Sequence, residues 1–182
     1  MASQPTTPRA TALALLETFK TLDYNTLISL IHPDAVWTMH PASLGFPPQS
    51  RDSQGQRLAH MFESGILDSF PVNPLEVIES VTKDEKSGNE KALVTVHAEG
   101  EVVLSEKVKG LLEGDEEGKT LLRQARENGG LKNEYLFVIT FEGSAEDGGG
   151  KIERVQEWLD AEKTRVLMGV LKTSTALLQS GK

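Results

Sequence analysis

Residues 32–50 read HPDAVWTMHPASLGFPPQS and combine three structural signals in one short stretch. Pro33 disfavours the α conformation at the residue before it, so a preceding helix must end here. Residues 35–40 are a β-like run, and residues 41–50 are rich in proline and glycine, which is typical of a loop. The stretch is too broken for a long helix and too apolar for a linker. We therefore expect it to form the entrance wall of a pocket.

Helices are predicted on both sides of this stretch. Apolar residues recur at spacings of three and four over residues 10–22, which indicates a first helix. Asp23 is a candidate N-cap for a second, short helix that runs through Ile31. Residues 51–67 return to helical spacing after the loop and predict a third helix.

From Leu75 onward the apolar period changes to two, which is typical of strands. Residues 75–82 and 92–103 are predicted to form one hairpin. Residues 131–142 and 151–160 are predicted to form a second hairpin.

The charged, glycine-rich residues 104–130 interrupt this pattern and are interpreted as an insertion and a candidate lid. Residues 161–178 close the chain as an amphipathic helix. The order of elements predicts an α+β fold, in which helices cover one face of a curved antiparallel sheet that forms a cone with a cavity. We expect a flexible N-terminus over residues 1–9 and a single domain over residues 10–178.

The composition is that of a globular protein with an acidic surface. The formal charge is −8, from 27 acidic and 19 basic residues among 182, and it opposes binding to nucleic acid. The chain has no cysteine, which excludes disulfides, thiolate catalysis and Cys-containing metal sites. No apolar run approaches the ~20 residues that span a membrane. We expect a soluble, cytoplasmic protein whose partners include neither nucleic acid nor a membrane.

One candidate for chemistry is a histidine beside a carboxylate on the longest predicted strand. Alternation within residues 92–103 puts His97 and Glu99 on the same face. Such a pair can share a proton or orient a water molecule, which general acid/base catalysis requires. The alternative is that both belong to an ordinary solvated face of an antiparallel sheet.

Two acidic residues near the last strand are further candidates. Glu157 shares a face with Val155 and Leu159, so it is a carboxylate in an apolar stripe. If that face lines a cavity, desolvation raises the pKa of Glu157 and suits it to proton transfer. Alternatively, Glu157 projects into water. Asp160 lies where the strand passes into the terminal helix and is a helix N-cap, a second acid, or both.

The sequence does not indicate a metal or phosphate site. The histidines lack the close helical spacing of a metal motif. Residues 114–120 resemble a P-loop only in outline, because they have three residues instead of four between the glycines, and these are acidic where phosphate would bind. We therefore expect no metal and no cofactor.

Four short motifs carry a resemblance to a known family. They are PASLGFPP at residues 41–48, after a strand ending in His40, KNEY at residues 132–135, GKI at residues 150–152, and EWLD at residues 157–160. In this order and spacing they resemble the NTF2-like superfamily, and specifically the SnoaL-like proteins of filamentous fungi. The similar pieces together span residues 10–172.

The resemblance implies a cone whose mouth admits a small, mostly apolar ligand, and a sheet that often dimerises, so a homodimer is one expectation. The superfamily includes polyketide cyclases, ketosteroid isomerase, scytalone dehydratase and limonene epoxide hydrolase, which act without a cofactor through positioned acids and bases. It also includes members without known catalysis, so the fold does not settle the function.

The resemblance also suggests roles for single residues. Asp160 corresponds to the acid/base aspartate of SnoaL-type cyclases. His97, Glu99 and Glu157 are similar in position to the Arg-x-Asp and the final Asp of limonene epoxide hydrolase, although the residue types differ.

Two functions remain open at this point. The first is a cofactor-independent isomerase, cyclase or epoxide-opening hydrolase that acts on a small apolar polyketide or terpenoid intermediate of secondary metabolism. Its candidate catalytic residues are His40, His97, Glu99, Glu157 and Asp160. Its expected pocket residues are Trp37, Phe46, Phe62, Asn133 and Tyr135. The second function is that of a non-catalytic ligand-binding or scaffold protein of the same fold, and the two differ in whether His97, Glu99 and Glu157 converge in one pocket.

Overall fold

The structure is a computed structural model and describes residues 7–84, 87–143 and 150–180. The helices are α1 (Pro8–Thr21), α2 (Tyr24–Leu30), α3 (Arg51–Glu63), α4 (Glu106–Gly114), α5 (Glu116–Glu127) and α6 (Ala161–Gln179). The strands are β1 (Ile31–His40), β2 (Gln49–Ser50), β3 (Leu67–Ser69), β4 (Val72–Lys83), β5 (Glu90–Glu101), β6 (Val103–Leu104), β7 (Lys132–Phe141) and β8 (Ile152–Leu159). In this part of the chain, no helix is long and apolar enough to cross a membrane.

Local signals set the boundaries of the helices near the N-terminus. The carboxylate of Asp23 accepts a hydrogen bond of 3.0 Å from the backbone N–H of Thr26, which confirms Asp23 as the N-cap of α2. Helix α3 ends at Glu63, earlier than the predicted span of residues 51–67. The chain turns there through Gly65, whose φ of 71° lies in the left-handed region that favours glycine.

Strand β1 begins at Ile31, so it starts earlier than predicted and contains Pro33. Its pairing with β8 is irregular there, because Ile31 lies opposite Ile152 and the next pair joins Val36 to Arg154. Proline has no N–H to donate to a ladder, and Pro33 lies where the ladder is interrupted. Pro33 therefore requires α2 to end before it. It does not prevent the extended backbone of β1.

The main sheet has the strand order β2-β1-β8-β7-β5-β4. The predicted hairpins are present as the antiparallel pairs β4–β5 and β7–β8. The prediction of an antiparallel sheet was incomplete, because β1 runs parallel to β8 and the curved sheet is mixed. Periodicity within one strand does not reveal the direction of a partner that is distant in sequence. The α+β class itself is confirmed.

The strand register divides the sheet residues between two faces. One row across the sheet lies on the inner, buried face and consists of Val96, Phe137, Glu157 and Met39. The adjacent row lies on the outer face and consists of His97, Leu136, Trp158 and His40. Leu136 and Trp158 are exposed there, and a homodimer formed through this face stays a prediction.

The insertion at residues 104–130 forms β6, α4 and α5 and packs against the terminal helix. Two glycines allow these helices to pack closely, because each lacks a side chain where a neighbouring residue lies. A Cβ on Gly118 would lie 2.5 Å from the backbone oxygen of Leu112, and a Cβ on Gly169 would lie 2.9 Å from Cδ2 of Leu121. The first contact joins α4 to α5, and the second joins α5 to α6.

Candidate functional site

A cavity of about 240 Å³ lies between the inner face of the sheet and helices α1, α3 and α6. Its walls are mostly aliphatic and aromatic side chains, such as Phe19, Leu58, Phe70 and Leu171. Apolar walls with a few polar groups are the usual composition of a small-molecule site. Neither α4 nor α5 contributes a described residue to the wall, so the insertion is not placed as a lid over this cavity.

Glu157 is the carboxylate of this cavity. It lies on β8, its side chain points to the inner face, and the residue is only 8% exposed. Its Oε2 accepts a hydrogen bond of 2.7 Å from Nε1 of Trp37, on the neighbouring strand β1. Its other oxygen, Oε1, has no hydrogen-bond partner among the described residues. One oxygen is thus held in place, while the other is available to a ligand.

The environment of Glu157 favours its protonated form. Burial raises the pKa of Glu157 above its ordinary value, because the apolar surroundings penalise the charged carboxylate. The hydrogen bond from Trp37 and the charge of Arg57 act in the opposite direction and are the smaller effects. A carboxyl group whose pKa is raised in this way can both donate and accept a proton closer to neutrality.

Arg57 brings a positive charge to the same cavity from α3. Its Nε donates to the amide oxygen of the buried Gln54 at 3.1 Å, and the guanidinium lies over the ring of Phe46 with 5.8 Å to the ring centre. One terminal nitrogen lies 3.5 Å from the sulfur of Met39. Burial lowers the pKa of Arg57, but an arginine stays charged in a protein.

Tyr135 adds a hydroxyl group to the wall from β7. Burial raises the pKa of Tyr135, and the nearby charge of Glu157 raises it further. The hydroxyl therefore keeps its proton and can act as a hydrogen-bond donor. No hydrogen bond joins it to another described residue.

Asn133 and Asp160 are both committed to local structure. Asn133 lines the cavity, but its side-chain amide donates to Thr164 at 2.9 Å and its oxygen accepts from the backbone N–H of Asp160 at 3.2 Å. The carboxylate of Asp160 accepts from the backbone N–H groups of Glu162 and Lys163, at 2.8 and 3.0 Å. Asp160 is thus the N-cap of α6, which was one of its two predicted roles, and it is not part of the cavity wall.

The structure does not bring His97, Glu99 and His40 to the cavity. His97 and Glu99 share a face, as predicted, but it is the outer face of the sheet, and Nε2 of His97 contacts the carboxylate of Glu134 at 2.5 Å. His40 lies on the same face and stacks on Trp158, with 4.5 Å between ring centres. His97 and Glu99 therefore do not converge with Glu157 in one pocket, so their assignment as catalytic residues of this cavity was wrong. Residues that pair directly across neighbouring strands point to the same side of a sheet, and the next residues along each strand point to the other side.

The five expected pocket residues divide into two groups. Trp37, Asn133 and Tyr135 line the cavity. Phe46 and Phe62 do not. Phe46 covers the guanidinium of Arg57, and Phe62 packs edge-to-face against Phe19 in the core, with 5.9 Å between ring centres.

Sequence reasoning missed Arg57 and Gln54. A signal was present, since Gln54, Leu58 and Met61 recur at helical spacing and Arg57 lies on the same side of α3. Two polar residues on the apolar side of a helix indicate either a cavity or a buried hydrogen bond. In this structure the two residues line the cavity, and Arg57 donates a hydrogen bond to the buried Gln54.

The described residues contain no group of three or more histidine or acidic side chains that could hold a metal ion. Among the described residues, the polar groups on the cavity wall are one carboxyl, one guanidinium, the exposed imidazole of His60, the exposed ammonium group of Lys172, amides and hydroxyls. These groups can transfer a proton and hold an oxygen atom.

The fold of this chain is NTF2-like. It is similar to the pinacolase BvnE from Penicillium brevicompactum, with a TM-score of 0.56 and 16% identity over 91% of this chain and 94% of that chain. It is also similar to PrhC from Penicillium brasilianum, with a TM-score of 0.52 and 13% identity over 95% and 97% of the two chains. A third similar structure is an NTF2-like protein from Cytophaga hutchinsonii, with a TM-score of 0.51 and 14% identity over 82% and 93%.

No protein-family model matches the sequence, and no curated protein matches it. The resemblance predicted from the four short motifs is confirmed as a shared fold. Identities of this size carry no residue roles from those proteins to this chain.

Proposed function

We propose that the protein is a cofactor-independent acid/base enzyme, in which Glu157 transfers a proton to or from a small apolar molecule in the cavity. One observation carries the proposal. Glu157 is a buried carboxyl group on the wall of an apolar cavity, with one oxygen held by Trp37 and the other without a partner.

The surroundings of Glu157 supply what proton transfer needs. The hydrogen bond from Trp37 orients the carboxyl group, so the free oxygen faces a bound molecule in a defined way. The apolar walls exclude water and strengthen electrostatic interactions with the charges that develop during the reaction. The hydroxyl of Tyr135 is a second group that can donate to an oxygen of the substrate.

The reaction classes that we propose are isomerisation, cyclisation and epoxide opening, each of which needs an acid and a base. The proposed substrate is a polyketide or terpenoid intermediate of secondary metabolism. The shared fold with BvnE, which is described as a pinacolase, supports a rearrangement chemistry by analogy.

The second candidate is a protein that binds such a molecule without converting it. The placement of His97 and Glu99 on the outer face favours this alternative, because it removes two of the predicted acid/base groups from the cavity. The two candidates differ in the role of Glu157 and share the same ligand site.

The proposal can be tested with two small apolar probes. The exchange of carbon-bound protons of 2-tetralone in D2O is followed by NMR, and the hydrolysis of limonene 1,2-epoxide is followed by chromatography. We expect the wild-type protein to accelerate one of them, and Glu157→Gln to reduce that rate by about 10²–10⁴-fold. Glu99→Gln is the matched control, because it makes the same change on the outer face.

Three results distinguish the candidates. Full activity of Glu157→Gln with a well-folded protein contradicts the proposed role of Glu157. A loss of activity in His97→Ala but not in Glu157→Gln places the chemistry on the outer face instead. Tight binding of both probes without acceleration of either supports the binding protein.

A further inference from the structure

Arg57 has hydrogen-bond donors that the protein does not use. A guanidinium group carries five N–H donors in one plane. Nε uses one of them on Gln54, and Nη2 has only the weak acceptor sulfur of Met39 at 3.5 Å. Nη1 makes no hydrogen bond with any described residue. Because Arg57 lies on the cavity wall, these free donors are available to a bound molecule.

The free donors are not explained by a salt bridge to Glu157. Both side chains line the cavity and their charges affect each other, yet no ion pair joins Arg57 to Glu157. Removing donors of a charged group from water without giving them a partner is costly. A ligand that offers an acceptor to Arg57 removes that cost, and a purely apolar ligand does not.

We infer that Arg57 determines the specificity of the cavity by donating hydrogen bonds to a carbonyl oxygen of a neutral, otherwise apolar ligand. This inference rests on the proposed function, because it concerns the molecule on which Glu157 acts. Arg57 has no acceptor, so the ligand must supply an oxygen with free lone pairs, and a carbonyl oxygen has two.

The apolar walls of the cavity favour a neutral ligand over an anion, because they penalise a charge that leaves water. Arg57 and the exposed Lys172 are cations on this wall, and Glu157 repels an anion only when it is ionised. An anionic ligand gains the attraction of Arg57 but loses its hydration between the apolar walls. A neutral carbonyl group takes the hydrogen bonds without that cost.

The position of Arg57 is fixed by its neighbours, which makes it suited to selecting a ligand. Gln54 is buried and holds Nε, while the ring of Phe46 covers one side of the guanidinium. A lysine has neither the planar fork nor the Nε donor, so Arg57→Lys does not reproduce this geometry although it keeps the charge.

The test compares three probes of the same shape, which are 2-acetonaphthone, 2-ethylnaphthalene and 2-naphthoate. Their dissociation constants are measured by ligand-observed NMR with wild-type protein, Arg57→Met and Arg57→Lys. Arg123→Met is the matched control, since Arg123 is an exposed arginine on α5, which contributes no described residue to the cavity wall. Each variant is also combined with Glu157→Gln, so that an uncompensated Glu157 charge does not confuse the result. Circular dichroism confirms that each variant is folded.

We expect the ketone to bind wild-type protein about tenfold or more tightly than 2-ethylnaphthalene, which is the usual advantage of a hydrogen bond to a charged group. Arg57→Met and Arg57→Lys reduce this ratio toward one, with and without Glu157→Gln, and Arg123→Met leaves it unchanged. The inference is overturned if the ratio persists in Arg57→Met, if the two probes bind wild-type protein equally, or if the naphthoate binds more tightly than the ketone.

Failure of this inference is distinguishable from failure of the proposed function. The binding ratio needs no turnover, and the proton-transfer test relies on Glu157→Gln with Arg57 intact. A protein that selects ketones through Arg57 but never transfers a proton supports this inference and contradicts the enzyme.

Discussion

Nε1 of Trp37 donates a hydrogen bond of 2.7 Å to the carboxylate of Glu157, which lies 120 residues later in the chain. The contact is possible because β1 and β8 are neighbouring parallel strands, with Trp37 opposite Val155 and Met39 opposite Glu157. Both side chains of the hydrogen bond are buried and point to the inner face. This bond joins an early strand to the last strand and orients the carboxyl group of Glu157 on the cavity wall.

Trp37→Phe is expected to raise the pKa of Glu157 further. The hydrogen bond from Trp37 favours the ionised carboxylate, so its loss favours the protonated form. The variant is also expected to lose about 1–3 kcal/mol of unfolding free energy, because a buried acceptor loses its partner. Carbon-13 NMR titration of the glutamate carboxyl groups and urea denaturation measure the two effects.

Trp158→Phe is the control for that experiment, since Trp158 lies on the outer face. It is expected to leave the Glu157 titration unchanged. An unshifted Glu157 in Trp37→Phe contradicts the assigned role of the hydrogen bond.

Glu157→Gln is expected to change how stability depends on pH. Since the pKa of Glu157 is raised in the folded state above its ordinary value of 4.5, the folded protein binds more protons than the unfolded chain between those two pKa values. The contribution of Glu157 to stability therefore falls as pH rises through that window and is constant above it. Glutamine does not titrate, so the variant gains stability relative to the wild type over the same pH range.

Urea denaturation of both proteins across a pH series measures this difference. Glu99→Gln serves as the reference for the loss of one negative charge at the surface. A difference between Glu157→Gln and wild type that does not grow with rising pH contradicts the raised pKa.

Asp160→Ala and Asp160→Asn separate capping from catalysis. Asparagine is as good an N-cap as aspartate, whereas alanine is not, so Asp160→Ala loses about 1 kcal/mol of unfolding free energy and Asp160→Asn loses little. Because Asp160 caps α6 and is not on the cavity wall, Asp160→Asn is expected to keep any turnover of the wild type. Thermal unfolding measures the stability of both variants, and an activity assay measures their turnover. If Asp160→Asn is folded but inactive, Asp160 has a role beyond capping α6.

Gly118→Ala is expected to destabilise the insertion by about 1–3 kcal/mol. The added Cβ lies 2.5 Å from the backbone oxygen of Leu112, so α4 and α5 must move apart. Gly114→Ala is the matched control at the end of α4, where a Cβ meets no atom within 4 Å. Urea denaturation measures both, and equal stability of the two variants contradicts the close packing of α4 on α5.

Local patterns in the sequence predicted most elements of this fold. Helical spacing, two-residue alternation and the cap at Asp23 depend on residues that are only a few positions apart. Interactions over such short separations can be recognised in a single sequence. The apolar stripe around Glu157 left two orientations open, toward a cavity or toward water, and the structure shows the first. The motifs that resemble the NTF2-like superfamily predicted the fold that the solved structures share.

The composition of the site was decided by tertiary structure. The sequence shows that His97 and Glu99 share a face, but only the pairing of β5, β7 and β8 shows that Glu157 lies beside Phe137 and Val96 on the opposite face. A shift of one residue in register exchanges the two faces, and periodicity within each strand stays the same after such a shift.

The parallel pairing of β1 with β8 and the approach of α3 to the sheet are likewise long-range events. They bring Trp37 and Arg57 to Glu157, and no spacing along the chain encodes that meeting. The sequence by itself therefore determined the elements and the faces of each element. The tertiary structure decided which faces meet, because that choice depends on the packing of the whole core.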